Sequence, residues 1–420
     1  MKQRLLLLFV LVLIGNLCIL AQKVPEKDLR DFLKSLGKNN LSNVDLDTIE
    51  RQKTYMNFLP VVGYSPPYGF LAGTGLSVSR IMGSYGQPLV SSALLNLNVT
   101  TQNQTMLVAR SNVYLPGGKW ILQGDWRVLF FTQPTYGTGT YFSGVDRLNL
   151  NGTPVQLNRV AQDMDFNYIR FYQSIYRRIR GSFYAGLGLF ADHHFNIDDR
   201  ELSFDPNSLS YTAHYVHNTL NGIPIRRTTA NGVSLNVLWD SRDNPINTYK
   251  GWYAQLGYRM NTSWLGSNAA SQTFAYDLRF YLHPDKAKKE NILAIWNWGQ
   301  LLTAGKLPYL ALPSIAWDTY NRSGRGYIQG RFRGEDMMYS EAEYRFPITQ
   351  NRLVGGVVFV NGTSASSRLS KQPLLHTIAL GYGAGLRLKM SKKTRTNLTM
   401  DIGLGQKGSS GIFFNLQEFF

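Results

Sequence analysis

The chain has 420 residues and a formal charge of +17, with 24 Tyr, 22 Phe, 8 Trp, 39 Gly and a single Cys. Beyond the N-terminal leader no apolar run reaches the ~18 residues that a membrane helix needs, so a membrane-spanning form has to be a closed barrel, in which every backbone N–H and C=O finds a partner inside the sheet. One cysteine excludes a disulfide framework and a thiolate metal site.

At the N-terminus, Lys2 and Arg4 precede the apolar run Leu5 to Ile14, which reads as a secretory signal with cleavage expected after Ala21. Cys18 lies inside it and follows Leu17 rather than a small residue, so the lipoprotein pattern is not met. Removing Lys2 and Arg4 takes the charge from +17 to +15, because residues 1–21 hold no acid. An excess of this size implies an anionic partner. No basic helix or nucleic-acid motif is present, which argues against nucleic acid. Outer-membrane lipids, lipopolysaccharide phosphates or an anionic solute remain, and solvated loop cations are the plainer alternative.

Residues 22–57 are polar. Pro25 can open a helix from Glu26 to Leu36 that Gly37 stops. Leu29, Phe32, Leu33 and Leu36 recur at helical spacing and share one face. Such a helix either docks under a barrel or holds a periplasmic or envelope protein partner. The expected division is a signal peptide at 1–21, a periplasmic N-terminal segment at 22–57 and a barrel at 58–420.

From Gly69 onward the period becomes two. In 252–261, Trp252, Ala254, Leu256, Tyr258 and Met260 alternate with Tyr253, Gln255, Gly257, Arg259 and Asn261. The same alternation runs through 274–282, 377–389 and 397–404, where Asp277, Arg279, Arg387 and Asp401 fall on the polar side. Segments of about ten residues, apolar on one face and polar on the other, are the mark of a transmembrane barrel. Fifteen candidate strands run from 68–80 to 411–420. An even number is needed when both ends lie in the periplasm, so sixteen are expected, with the missing strand sought within 132–163. The predicted fold is therefore all-β, a transmembrane antiparallel barrel with a short N-terminal helical segment, located in a bacterial outer membrane. The gaps at 195–228 and 303–337 are expected to be extracellular loops. Phe414, Leu416 and Phe420 close the last strand in an alternation that resembles the C-terminal insertion signal of such barrels, with Glu418 interrupting it.

Three segments then carry a family resemblance. Trp239-Asp240-Ser241-Arg242-Asp243-Asn244-Pro245, followed by Gly251-Trp252-Tyr253, is similar to a strand–turn–strand pattern of the BamA/TamA-like superfamily, the bacterial surface antigen barrels. Asp, Asn and Pro favour the turn, and Gly251 restarts the strand. Ser323-Gly324-Arg325-Gly326-Tyr327 resembles the family motif at the tip of a loop that folds back into the lumen, with Gly324 where the family has Val. Glu341-Ala342-Glu343-Tyr344-Arg345-Phe346-Pro347 and Gly356 to Gly362 resemble the two strands that follow, with Asn361 in place of Asp.

The resemblance covers about 65–420. It implies an assembly or translocation factor whose Arg325 enters the lumen and pairs with Glu343, near Arg345. The Asn at 361 implies a weakened clasp. The segment 22–57 is too short for the periplasmic POTRA modules of full-length members. A channel for anionic solutes is the alternative function.

An enzyme reading finds little support. Asp192-His193-His194 with Asp198-Asp199 is the one acid–histidine cluster, and adjacent histidines on a strand point to opposite faces. There is no G-x-S-x-G, no H-E-x-x-H and no phosphate loop. No catalytic residue, cofactor or metal site is expected.

Overall fold

The computed structural model describes residues 25–36, 54–65, 69–82, 89–284, 290–392 and 394–420. The segment 1–21, expected to be a signal peptide, and Cys18 within it lie outside the described residues. The chain enters through helix α1 (Leu29–Leu36) and then β1 (Thr54–Ser65), β2 (Gly69–Met82), β3 (Leu89–Thr100), β4 (Thr105–Tyr114) and β5 (Trp120–Thr135). A small hairpin follows, β6 (Val145–Leu150) and β7 (Thr153–Asn158). Next come β8 (Gln162–Arg180), β9 (Phe183–Asp199), helix α2 (Ala213–Asn221), β10 (Thr228–Asp240), β11 (Gly251–Asn261), β12 (Ser271–Leu282) and β13 (Ile292–Gly305). The chain ends with β14 (Asp336–Pro347), β15 (Val354–Ala365), β16 (Ala379–Ser391), β17 (Thr396–Gly405) and β18 (Ser410–Leu416).

Sixteen of these strands form one antiparallel sheet in chain order, from β1 through β5, then β8 to β18, with β6 and β7 paired apart from it. The period-two pattern decides which way each strand faces. Outward lie Trp126, Val128 and Phe130 on β5, Leu187 and Leu189 on β9, Leu398, Met400 and Ile402 on β17, and Ile412 and Phe414 on β18, all exposed. Inward and buried lie Asp125, Arg127, Asp192, Glu341, Glu343, Arg387 and Asp401. Exposed large apolar side chains around buried charges invert the arrangement of a water-soluble domain. This inversion is what a closed sheet in lipid requires.

The connections at one end are long, and the loops 136–161, 200–227 and 306–335 all leave it. The connections at the other end are short, and both termini of the sheet lie there. In barrels of this kind the short turns are periplasmic. Helix α1 sits at that end, beside the β16–β17 turn. Lys392 Nζ reaches Asp31 at 2.8 Å, Lys389 Nζ reaches Glu26 at 2.5 Å and Lys27 N donates to Asn351 O at 2.9 Å. Phe32 stays exposed.

Two expectations change. The sixteenth strand is β1, at Thr54–Ser65, and not a segment within 132–163. Residues 132–163 instead extend β5 and supply the detached hairpin. Pro60 and Gly63 interrupt the alternation of this strand, so its period-two signal is weak; Pro60 is tolerated at a strand that ends the sheet order. Sheet pairing thus begins at Thr54, four residues inside the stretch assigned to the periplasmic segment.

Candidate functional site: the lumen loop and its clasp

The loop 306–335, between β13 and β14, does not stand clear of the barrel. It crosses to the opposite wall. Arg127 on β5 donates to the carbonyls of Asp318 and Thr319 at 3.0 and 2.8 Å and to Asn321 Oδ1 at 2.7 Å. Gln133, also on β5, donates to Gln329 O at 2.6 Å. Within the loop, Asp318 gathers the tip. Its carboxylate accepts from Tyr320 N, Arg322 N and Ser323 N at 2.9–3.1 Å, and from Ser323 Oγ at 2.6 Å. Asp at the head of a turn does this because its short side chain reaches backbone N–H groups two or more residues on.

That turn delivers Gly324-Arg325-Gly326-Tyr327 onto β14 to β17. The two glycines take φ of +83° and +106°. A Cβ on Gly324 would lie 2.1 Å from Ile315 Cδ1, and one on Gly326 would lie 2.8 Å from the backbone of Leu404. Val at 324 is therefore barred by backbone and by space, which accounts for the departure from the family motif. The wall is thinned to match, since a Cβ on Gly403 would meet Gly326 N at 2.5 Å. Tyr327 OH donates to Leu380 O at 2.6 Å.

Arg325 is completely buried. Its guanidinium bonds to Glu341 Oε1 at 2.6 Å, to Asp401 Oδ2 at 2.5 Å and to Glu343 Oε1. The ring of Phe359 lies 3.6 Å from its central carbon on one side and that of Phe419 4.1 Å on the other. Each carboxylate has a second partner. Arg345 Nε donates to Glu343 at 2.7 Å, Arg387 Nη1 donates to Asp401 at 2.5 Å, and Tyr339 OH donates to Glu341 at 2.5 Å. Cross-strand pairing of Glu341 with Asn361 and of Glu343 with Phe359 holds the set in one layer.

The expected single partner of Arg325, Glu343, is thus one of three. Glu341 and Asp401 were legible only as inward residues, because their convergence depends on three strands and a loop. Asn361 plays a different part from the one expected. Its Nδ2 donates to Arg325 O at 3.0 Å, so the amide holds the loop backbone and does not stand for a missing carboxylate. Asn361 thus fastens the loop through a neutral hydrogen bond, and the carboxylates on Arg325 come from Glu341, Glu343 and Asp401.

The C-terminus completes the site. β18 stops at Leu416, Gln417 takes φ +95°, and the last three residues turn into the lumen. Glu418 pairs with Arg387 at 2.7 Å and accepts from Asn397 at 2.6 Å, which explains an acid at that position. Phe420 is buried against Trp296, with centroids 5.4 Å apart, and its carbonyl accepts from Arg345 at 3.0 Å. Of the proposed insertion signal, Phe414 faces outward, Leu416 is half-buried and Phe420 faces the lumen, so the alternation does not continue to the terminus.

The turn motif builds the periplasmic mouth. Asp240 and Arg242 pair at 2.8 Å, Asp243 accepts from Tyr249 N and Lys250 N at 3.0 and 3.1 Å, and Arg395 reaches Asp243 at 2.7 Å from the β16–β17 turn. Gly251 has φ +104°, and a Cβ there would strike Ser241 O at 2.3 Å. Pro245 lies beside the lumen cavity described below. The acid–histidine cluster is divided between faces. His193 Nδ1 meets Thr229 Oγ1 at 2.9 Å, whereas His194 stacks on Tyr168 at 4.2 Å, and Asp192 serves Arg259 at 2.9 Å.

A sixteen-stranded sheet with a lipid-facing apolar surface, a charged interior and a loop folded into the lumen defines an outer-membrane β-barrel. Residues 129–392 match the Omp85 superfamily domain, more than half of the chain, and the chain belongs to that superfamily. BamA from Haemophilus ducreyi lacking POTRA domains 1–3 is similar in fold, with a TM-score of 0.52 and 12% identity over 87% of this chain and 69% of that one. CdiB from Acinetobacter baumannii has a TM-score of 0.50 and 14% identity, over 87% of this chain and 60% of that one. CdiB from Escherichia coli has 0.51 and 12%, over 86% and 62%. At these identities the likeness is one of fold, and this chain spans less than two thirds of either CdiB. No curated protein sequence matches the chain.

Proposed function

We propose that this barrel acts in outer-membrane protein biogenesis or in moving polypeptide across that membrane, after export directed by residues 1–21. The observation that carries the reading is the loop 306–335 crossing the lumen, fastened at Arg325 by Glu341, Glu343 and Asp401. A diffusion pore needs an unobstructed lumen, whereas a loop held by a few buried contacts is a stopper that a client can displace. Proteins named BamA and CdiB are similar in fold, and that likeness supports the reading. The segment 22–57 serves as a handle for a periplasmic partner, with Phe32 of α1 left exposed.

The test is depletion of the protein in its host, with quantitation of folded outer-membrane barrels and surface-exposed clients, alongside planar-bilayer recording of the purified chain. Loss of clients with little steady conductance is the expected result. A stable, anion-selective conductance with unchanged client levels would transfer the function to the channel reading, which the arginine-rich lumen favours.

A further inference from the structure

The clasp uses its charges in matched sets. Elsewhere in the lumen the matching fails. A cavity of about 60 Å³ lies between β3, β4, the 241–250 turn, the loop tip and the C-terminus. Four arginines line it: Arg110, Arg242, Arg279 and Arg322. Two of them carry their own counter-ions two residues away, Arg242 with Asp240 at 2.8 Å and Arg279 with Asp277 at 2.5 Å. The other two do not. Arg322 has no carboxylate within 4.0 Å among the described residues, and its Nη1 meets only the carbonyls of Glu418 and Phe419 at 2.5 and 3.1 Å. Arg110 has Asp125 no nearer than 4.0 Å, and that carboxylate is already engaged by Arg127 at 2.6 Å and Arg170 at 3.1 Å.

The Nε–H groups of both Arg110 and Arg322 are buried and find no hydrogen-bond partner among the described residues. Tyr320 sits between the cations, its ring centre 5.7 Å from the Arg110 carbon, 5.0 Å from Arg322 and 5.8 Å from Arg279. Like charges brought together out of water repel, and buried guanidinium groups without anions are costly. The chain keeps them there although Lys, Gln or Met would fill similar volume.

We propose that this cavity is a binding site for a tetrahedral oxyanion of the phosphate class, held by Arg110 and Arg322 against Tyr320, with Gln123 and Ser111 at the rim. Guanidinium forks match phosphate oxygens in pairs. One water needs roughly 10–15 Å³ of such space, so the cavity has room for several waters and admits a group of that size. The lining includes Pro245 and Ile246 of the turn at the periplasmic mouth, so the ligand enters from the periplasmic side. It arrives either as a free ion or as the headgroup of a lipid. The site is separate from the clasp and does not depend on the biogenesis reading, so either can fail alone.

The test is calorimetric titration of the full chain, refolded in detergent, with inorganic phosphate at constant ionic strength, and in a second arm with short-chain phosphatidic acid. R322Q and R110Q are titrated in parallel after heat-modifiability has shown that each is folded. Saturable binding that weakens by about tenfold or more in both variants is expected, the scale for loss of one charge-assisted contact. Binding of the lipid alone assigns a headgroup, and binding of inorganic phosphate assigns a solute. If neither titrates, or if both variants bind as the wild type does, the proposal is overturned. If a variant does not fold, protection of Arg322 and Arg110 in the wild type against phenylglyoxal, mapped by mass spectrometry with and without phosphate, decides the matter, and absence of protection refutes it.

Discussion

Replacing Arg325 by Ala tests whether the loop is fastened where the geometry places it. Removing one partner of a buried ion pair costs about 3–5 kcal/mol, because the remaining charge is left without compensation. Three carboxylates lose a contact here, but not equally. Arg345 stays on Glu343 at 2.6 Å and Arg387 stays on Asp401 at 2.5 Å. Glu341 keeps only neutral partners, the Tyr339 hydroxyl at 2.5 Å and the Asn361 amide at 3.4 Å. The stranded charge is therefore mainly that of Glu341, and the expected loss sits near the lower end, at about 3 kcal/mol. Neutralising that group in the double variant Arg325→Ala with Glu341→Gln should recover about 1.5–2 kcal/mol, the lower part of the scale for a hydrogen bond to a charged group. Pairing the same change with Glu343→Gln should recover less, since Glu343 retains Arg345. The assay is the thermal midpoint in detergent together with protease cleavage within 306–335 on intact cells. An unchanged midpoint and an uncleaved loop in Arg325→Ala, or equal recovery from the two double variants, would refute the reasoning.

Asn361→Asp should loosen the loop, against the expectation from sequence. It removes the donor to Arg325 O and adds a carboxylate beside Glu341, a cost of about 1–3 kcal/mol readable as a lower midpoint. Gly326→Ala should unseat the tip, because φ is +106° and the new Cβ meets the backbone of Leu404; heightened proteolysis of the loop in an otherwise folded barrel is the readout. Phe420→Ala should destabilise the refolded barrel by about 3 kcal/mol through loss of packing on Trp296, and an unchanged detergent melt with impaired membrane insertion would restore the pure signal reading. His217, on the extracellular helix α2, is pushed down to about 4 by burial, only partly offset by its bond to Leu307 O. The unfolded segment takes up the proton as pH falls below about 6.5 while the folded one does not, so stability is complete above that value and declines toward pH 4. Helix α2 should show lower protection factors at pH 5 than at pH 7, once the slower intrinsic exchange at pH 5 is divided out, and His217→Gln should flatten that dependence.

Much of the architecture was legible in the chain. Period two is a property of consecutive residues, so Trp252 through Asn261 announce their strand and its two faces without reference to any neighbour. The inward charges Glu341, Glu343 and Asp401 follow from the same parity, and Gly324-Arg325-Gly326 announce a sharp, basic turn. The strand β1 was hidden because Pro60 and Gly63 break the local pattern, and its place is settled by pairing with β2. Asn361 was misread for a related reason: an amide can donate or accept, and only the nearby Arg325 carbonyl selects donation.

What tertiary structure alone decided is convergence. Arg325 and Asp401 are 76 residues apart, and no spacing rule links a loop tip to β17. The unmatched Arg110 and Arg322 are likewise invisible in the sequence, where they are two cations among 44. Whether a charge is paired depends on the distance to its counter-ion, and closing the sheet sets that distance. Parity tells each side chain which face it occupies, but only the closed lumen tells it what stands across the way.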